Sequence, residues 1–458
     1  MKVATSSRRT LLIALFVALV ACNRRKPVIE GAQDLKTFEG RLKTVSEEQS
    51  TELAEAYRRG AIPHWTIAII GDGIAAAAAA KNMDTPVRVY GAQSFWNNLQ
   101  GLPEVWQTDL ADAFTNAHLT DPKHFDHVNK GERIAREAVI AANLEGLLDA
   151  KAAYLQTSPV EVLPEAGEWK VVDKDGHAEI VTEALIIATG LLRPLRITDA
   201  IPDLNTDKVR RELSEAGKIM TGDEYLAMRN PPCHKVVGIV GAGGSSGDSI
   251  IHAIEEGGAE EVVVWGDVPL PLESTNAYRE LVTTYGAKIC RVPGQATSVG
   301  YNGDRIEING SSTPPCIRED KSSSTARPIE LLIESIGRYQ GDPPPIVASA
   351  AGGLTITYHP VIENEKLIAV RVSFGDANQW KPMYLIGAAA TWIPSGVAIS
   401  AKEWTAYKDA LAETVKAVNP GSDLENGPPG FAVAAFMGSH LAKDCFPHGD
   451  LVNKPPCQ

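Results

Sequence analysis

The chain has 458 residues, 44% of them apolar and 22% charged, which is the balance of a folded chain of roughly two to four domains. A disordered, collagenous or polytopic membrane protein is excluded. Lys and Arg number 44 against 57 Asp and Glu, a net charge of −13 without a basic block, so nucleic acid is set aside as a partner. Six cysteines with no C-x-x-C argue against both a disulfide scaffold and a dithiol redox centre.

Residues 1–22 read as an address. Lys2, Arg8 and Arg9 precede an apolar run, Leu11 to Ala21, long enough for a signal core and short for a bilayer span. Leu19-Val20-Ala21-Cys22 matches the bacterial lipobox, in which the cysteine is lipidated and becomes the mature N-terminus. Ser7-Arg8-Arg9-Thr10-Leu11-Leu12 resembles a twin-arginine signal. Arg24-Arg25-Lys26 pulls the other way, because positive charge after the apolar run resists translocation. The expectation is a lipoprotein of the bacterial cell envelope, anchored to a membrane through Cys22.

Residues 23–62 predict a spacer and a surface helix ending near Gly60. From Pro63 to about residue 265, strand and helix patterns alternate, which predicts parallel α/β architecture. Residues 291–328 read as hairpins and loops, and 341–353 as a linker. Met383 to Ile386 is a final strand, followed by a helix from about Ser395 to Val418 and a loop-rich tail after Pro420.

Two segments carry a dinucleotide-binding pattern. In the first, the apolar run Ile67–Ile70 leads into Gly71-x-Gly73-x-x-Ala76 and an Ala-rich helix. Gly71 permits the tight turn, Gly73 lets backbone approach a pyrophosphate, and Ala76 lets helix and strand pack closely. The next strand, Val87-Arg88-Val89, should end in an acidic residue for the ribose, and Tyr90 stands there. In the second, Val236–Val240 leads into Gly241-x-Gly243-x-x-Ser246, with Ser245 beside it, and the following strand ends at Trp265 to Asp267. No Arg follows there to meet a 2′-phosphate, so the residues do not separate NADPH from NADH.

With these turns the chain resembles the two-dinucleotide-binding-domain flavoproteins over about residues 63–415. Ala188-Thr189-Gly190, closing the strand from Glu183, resembles the family's A-T-G, and Glu168–Val171 with Asp175-Gly176 the hairpin before it. Val160 sits where such proteins pack a strand beside adenine, and Leu331–Arg338 takes the place of a second A-T-G strand. Tyr384-Leu385-Ile386-Gly387 resembles the late strand ending at the flavin.

The resemblance implies an α/β, Rossmann-like FAD/NAD(P)-binding fold with the NAD(P) domain inserted in a split FAD domain. The expected segments are 63–200 and 341–420 for FAD, 201–340 for NAD(P), and 421–458 as tail. The implied cofactors are FAD with NADPH or NADH, and the implied partners are O₂ and a small-molecule substrate.

Lacking a dithiol, the chain is closest to the flavin-dependent monooxygenase branch. That branch carries F-x-G-x-x-x-H-x-x-x-[YF] between its two domains. Gly217 and Tyr225 fit this fingerprint, whereas Glu215 replaces Phe and Thr221 replaces His. Trp106-Gln107-Thr108-Asp109-Leu110, followed by Leu119-Thr120-Asp121-Pro122, resembles the N-hydroxylating monooxygenases, which makes Gln107 and Trp106 the candidates for the flavin edge. The helix near Ser395 would direct its positive end at the flavin.

Three readings remain open: an anchored NAD(P)H-dependent monooxygenase-like enzyme, an exported flavoprotein with another electron source, and a non-catalytic scaffold. His118, His124, Asp126 and His127, like His440, Cys445 and His448, read as loop residues and not as a metal site. Cys445 and Cys457 could pair outside the cytoplasm, while Cys233, Cys290 and Cys316 read as buried or idle thiols.

Overall fold

The computed structural model describes residues 32–91, 104–105, 134–157, 159, 161–190, 194–241, 244–266, 276–310, 316–318, 323–324, 328–336, 343–375, 380–391, 393, 399–418 and 431–446. These form two compact units. One draws on three stretches, 32–91, 134–190 and 343–446, and the other on 104–105 and the intervening 194–336.

The first unit opens with helix α1 (Ala32–Arg58), which buries Leu35, Leu42 and Leu53 along one side. Strand β1 (His64–Ile70) follows, then α2 (Ile74–Lys81), β2 (Val87–Tyr90), α3 (Arg136–Asp149) and β3 (Ala153–Leu155). Strands β4 (Glu161–Glu165), β5 (Glu168–Val172) and β6 (Ala178–Ile187) form an antiparallel meander. Gly176, at φ +81, closes the turn into β6.

In the second unit α4 (Leu204–Glu215), β7 (Ile219–Thr221) and α5 (Gly222–Leu226) precede β8 (Val236–Val240), α6 (Gly244–Ile251) and β9 (Glu261–Gly266). Helix α7 (Asn276–Tyr285) and β10 (Ile289–Pro293) continue it. The hairpin β11 (Ala296–Tyr301) and β12 (Ile306–Gly310) falls in the region expected to hold hairpins. Strands β13 (Cys316–Arg318), β14 (Ser323–Ser324) and β15 (Leu331–Glu334) complete a sheet of order β14-β13-β10-β9-β8-β15-β7. It is parallel from β10 to β7. Apolar side chains cover both of its faces, Ile250, Ile254 and Val262 in one cluster and Leu213, Val263 and Leu332 in the other.

The chain then returns to the first unit with α8 (Pro345–Ala351), β16 (Ile356–Glu363), β17 (Lys366–Phe374) and β18 (Met383–Leu385). The larger sheet runs β16-β17-β18-β6-β1-β2-β3, with β5 pairing β6 as well. The final helices are α9 (Ala401–Val418) and α10 (Phe431–His440).

Several expectations are corrected. The stretch expected as a linker carries α8, started by Pro345 at its first position and stopped by Gly352 in the left-handed conformation. The helix expected from Ser395 begins at Ala401, because Ser400 and Glu403 cap it reciprocally: the Ser400 N–H donates to Glu403, and the Glu403 N–H to the Ser400 hydroxyl. Ser395 lies outside the described residues. The tail is not all loop. α10 is apolar all round, so it lacks the periodicity that betrays a surface helix, and it packs on α2. Cys233 and Cys290, expected as thiols, are each disulfide-bonded, as is Cys445. Pairing follows spatial proximity, which spacing along the chain does not encode. Cys457 lies outside the described residues. No helix of the described residues is long and apolar enough to cross a membrane.

Candidate functional site

The two glycine turns are built alike. At the first, β1 ends in the buried run Ile67–Ile70 and pairs in parallel with β2 and β6, placing Ile70 opposite Tyr90 on one side and Ile187 on the other. The Gly71 N–H donates to the Tyr90 carbonyl at 2.8 Å, and the Ala188 N–H to the Ile70 carbonyl at 2.7 Å. Gly71 has φ +120, and a Cβ there would collide with the Ala188 carbonyl. Glycine is required on both grounds.

At the second turn the Gly241 N–H donates to the Trp265 carbonyl at 2.8 Å, and the Ser335 N–H to the Val240 carbonyl at 2.8 Å. Gly241 has φ +110, and a Cβ there would collide with the Ser335 carbonyl. The segment from Leu331 thus stands to the second turn as Ala188-Thr189-Gly190 stands to the first.

Around the first turn the residues singled out in the sequence come together. Gly73 precedes α2 in extended conformation, and a Cβ there would meet nothing within 4 Å. Open space therefore faces the helix start, where backbone N–H groups favour an anion. Ala76 is fully buried under the turn. Thr189 is exposed beside Gly71, and Gly190 has φ +79 with open space at its Cβ position. Gly387, at φ +62, closes on Ala75, where a Cβ would stand 2.9 Å from the alanine methyl. Gly438 of α10 meets the same residue, so that any side chain there would strike the Ala75 carbonyl. That glycine lies in the tail read as loop, and only an A/G-rich apolar stretch marked it in the sequence.

Tyr90 is placed differently from the expectation. Its ring is buried, and its hydroxyl donates to Glu179 at 2.6 Å. Burial, then the Glu179 charge, holds the phenol well above its usual pKa. Glu179 also accepts from Arg88, 2.9 Å from Nε to Oε2, and from Trp65 Nε1 at 2.8 Å. Arg88 reaches Gln49 of α1 as well. Tyr90 thus belongs to a buried ion-pair cluster behind the sheet end.

The end of β2 is filled by other residues. A Cβ on Gly91 would collide with the Tyr154 hydroxyl and stand 2.5 Å from Asp72 Oδ2. The Tyr154 hydroxyl and Asp72 Oδ2 are 3.1 Å apart, and Asn143 Nδ2 donates to the Asp72 carbonyl at 2.7 Å.

Around the second turn, the buried Ser246 hydroxyl donates to the Gly241 carbonyl at 2.9 Å, locking the turn from within. Glu334, at the end of β15, is buried and accepts from the Ile197 N–H and from both Nε and Nη2 of Arg210. The two residues that fit the fingerprint have structural places: Gly217 has φ +65 just past α4, and Tyr225 is in the core. Thr221, which stands in place of the fingerprint His, caps α5 in a box with Glu224. Trp106, Gln107, Val160, Gly243, Cys22 and the side chain of Ser245 lie outside the described residues. The described metal-capable group, Asp173, Asp175 and His177, is a β-turn whose Asp173 carboxylate accepts from the Asp175 and His177 N–H groups.

Neither a protein-family model nor a curated protein sequence matches the chain significantly. Solved structures do. An ornithine N-hydroxylase of Kutzneria sp. 744, with reduced FAD, NADP⁺ and L-ornithine, superposes with a TM-score of 0.51 at 10% identity, covering 82% of this chain and 97% of its own. Thioredoxin reductase of T. acidophilum aligns at 0.48 and 14% identity, covering 83% and 96%. Ornithine hydroxylase of Pseudomonas aeruginosa aligns at 0.46 and 13%, covering 76% and 98%. At these identities the likeness is one of fold. The chain has the two-domain FAD/NAD(P)-binding flavoprotein fold, with the second domain interrupting the first in sequence.

Proposed function

We propose that the chain is an FAD-dependent oxidoreductase of the monooxygenase type, with FAD at the Gly71 turn and NADPH or NADH at the Gly241 turn. The observation that carries this reading is the duplicate turn. Each first glycine is pressed against a neighbouring strand end in a conformation that only glycine tolerates well, and Gly73 leaves open space before a helix start. FAD, when bound, supplies hydride acceptance and reactivity with O₂. This chain's part is to hold the pyrophosphate on the α2 N–H groups and to keep Thr189 and Gly190 beside it. Gln107 and Trp106 are the candidates to meet the flavin edge. The N-hydroxylase with FAD, NADP⁺ and L-ornithine makes a small amine-bearing substrate the first class to test.

The test is O₂ uptake by the purified, FAD-loaded chain on adding NADPH or NADH. Uptake above the rate of free FAD supports the reading, and none with either nucleotide overturns it. Disulfides at Cys233 and Cys290, in the unit assigned to NAD(P)H, favour a second reading in which an exported flavoprotein takes electrons from another donor. Those bonds, together with the lipobox, support placement in the cell envelope with a lipid on Cys22. Cys22→Ala should then release the protein from the membrane fraction, and retention would contradict the lipid anchor.

A further inference from the structure

The β2 strand ends without the carboxylate that a dinucleotide's adenosine ribose needs. Tyr90 turns inward to Glu179, and Gly91 has no side chain. The space a side chain at 91 would enter is taken by Asp72 Oδ2 and the Tyr154 hydroxyl. Resting on the reading that FAD occupies the Gly71 turn, we propose that Asp72, the residue between the two glycines, is the ribose-binding carboxylate, held in place by Tyr154.

Three observations carry this. First, Asp72 Oδ2 lies 2.5 Å from where a Gly91 Cβ would be, so a carboxylate from the loop stands where one from the strand end would begin. Second, the Tyr154 hydroxyl donates to that oxygen at 3.1 Å, and burial together with the Asp72 charge keeps the phenol protonated. A donor on one oxygen orients the carboxylate, and an ionised carboxylate has several lone pairs, so it can also accept from ribose hydroxyls through charge-assisted hydrogen bonds. Third, Asn143 pins the loop through the Asp72 carbonyl, while its own buried Oδ1 has no partner among the described residues. A donor at this turn, from ribose or a bridging water, would satisfy it. Asp72 itself is partly exposed and Tyr154 is buried, as a contact residue and its support should be.

A carboxylate inside a turn that cradles phosphate would otherwise repel the ligand. The rival outcome is that Asp72 weakens FAD binding and its removal tightens it. The two are separated by titrating the full-length apoprotein with FAD, with FMN, and with the FAD analogue whose adenosine is 2′-deoxy, following flavin fluorescence. Wild type should bind FAD about tenfold or more tighter than the deoxy analogue. Asp72→Asn should lose a similar factor for FAD, lose little further for the analogue, and leave FMN unchanged. Tyr154→Phe should fall between. Equal binding of FAD and its analogue by wild type overturns the proposal without any variant. Unchanged or tighter FAD binding by Asp72→Asn overturns it too. A wild-type chain that binds neither FAD nor FMN overturns the FAD reading itself, and this assignment with it.

Discussion

The two turns share the setting of their first glycine and differ in the charges nearby. In both, the first glycine donates to an aromatic residue at or next to the end of the following strand, Tyr90 or Trp265, and is pressed against the residue just past a third strand, Ala188 or Ser335. Both following strands end in an aromatic residue and a glycine, Tyr90-Gly91 and Trp265-Gly266. The side chains then diverge. The first turn carries Asp72 between its glycines, whereas the second carries Ala242 there. In the first unit the buried ion pair, Arg88–Glu179, sits behind β2. In the second it is Arg210–Glu334, on the strand residue just before Ser335. The difference teaches that one strand-and-glycine frame can carry quite different neighbouring charges.

The largest effect should come from breaking the buried pairs. Glu179→Ala leaves Arg88 unpaired in a fully buried position and should destabilise the first unit by about 3–5 kcal/mol in denaturant unfolding. Glu334→Ala should cost less, because Arg210 is partly exposed and can turn to water. Equal losses would break this contrast.

Next come the glycines. Gly71→Ala combines a collision with a left-handed backbone and should cost about 3 kcal/mol, with loss of bound flavin. Gly241→Ala should cost about the same but spare flavin binding. If both variants lose flavin equally, the assignment of one cofactor to each turn fails.

Ser246→Ala removes a single turn hydrogen bond, about 1 kcal/mol by thermal melting, and sharpens the view that this hydroxyl serves the turn.

The smallest effect is at α9. The Ser400 hydroxyl, with His359 behind it, holds the Glu403 pKa below the usual carboxylate range. Its contribution is therefore complete above that range and fades as pH falls through the lowered value. The protection of amides in the first turn of α9, measured against their intrinsic exchange rates, should fall on acidification, and in Glu403→Gln that fall should be blunted.

Much of this was legible in the sequence. Buried-strand runs such as Ile67–Ile70 and Val236–Val240 declare themselves by unbroken apolarity, and glycines after them announce turns. Ala188-Thr189-Gly190 stood out by its resemblance to the family's A-T-G, while its place against Gly71 follows from the parallel pairing of β6 with β1. The ribose carboxylate was not legible. Asp72 and Tyr154 are 82 residues apart, and only the closure of β3 beside β2 brings them together. Tyr90 misled for a related reason, since a residue's place on a strand does not say which buried partner turns its side chain. Helix α10 was hidden because it is apolar on every side and carries Gly438, a poor helix former that is needed here for contact with Ala75.

The measurement that tests the central claim most directly is the anaerobic visible spectrum of the purified full-length protein, supplied with FAD, before and after NADPH. The account predicts a bound-flavin band that bleaches when the nucleotide is added. A band that NADPH and NADH both leave unchanged would contradict the role given to the Gly241 turn. No retained flavin at all would contradict the role of both.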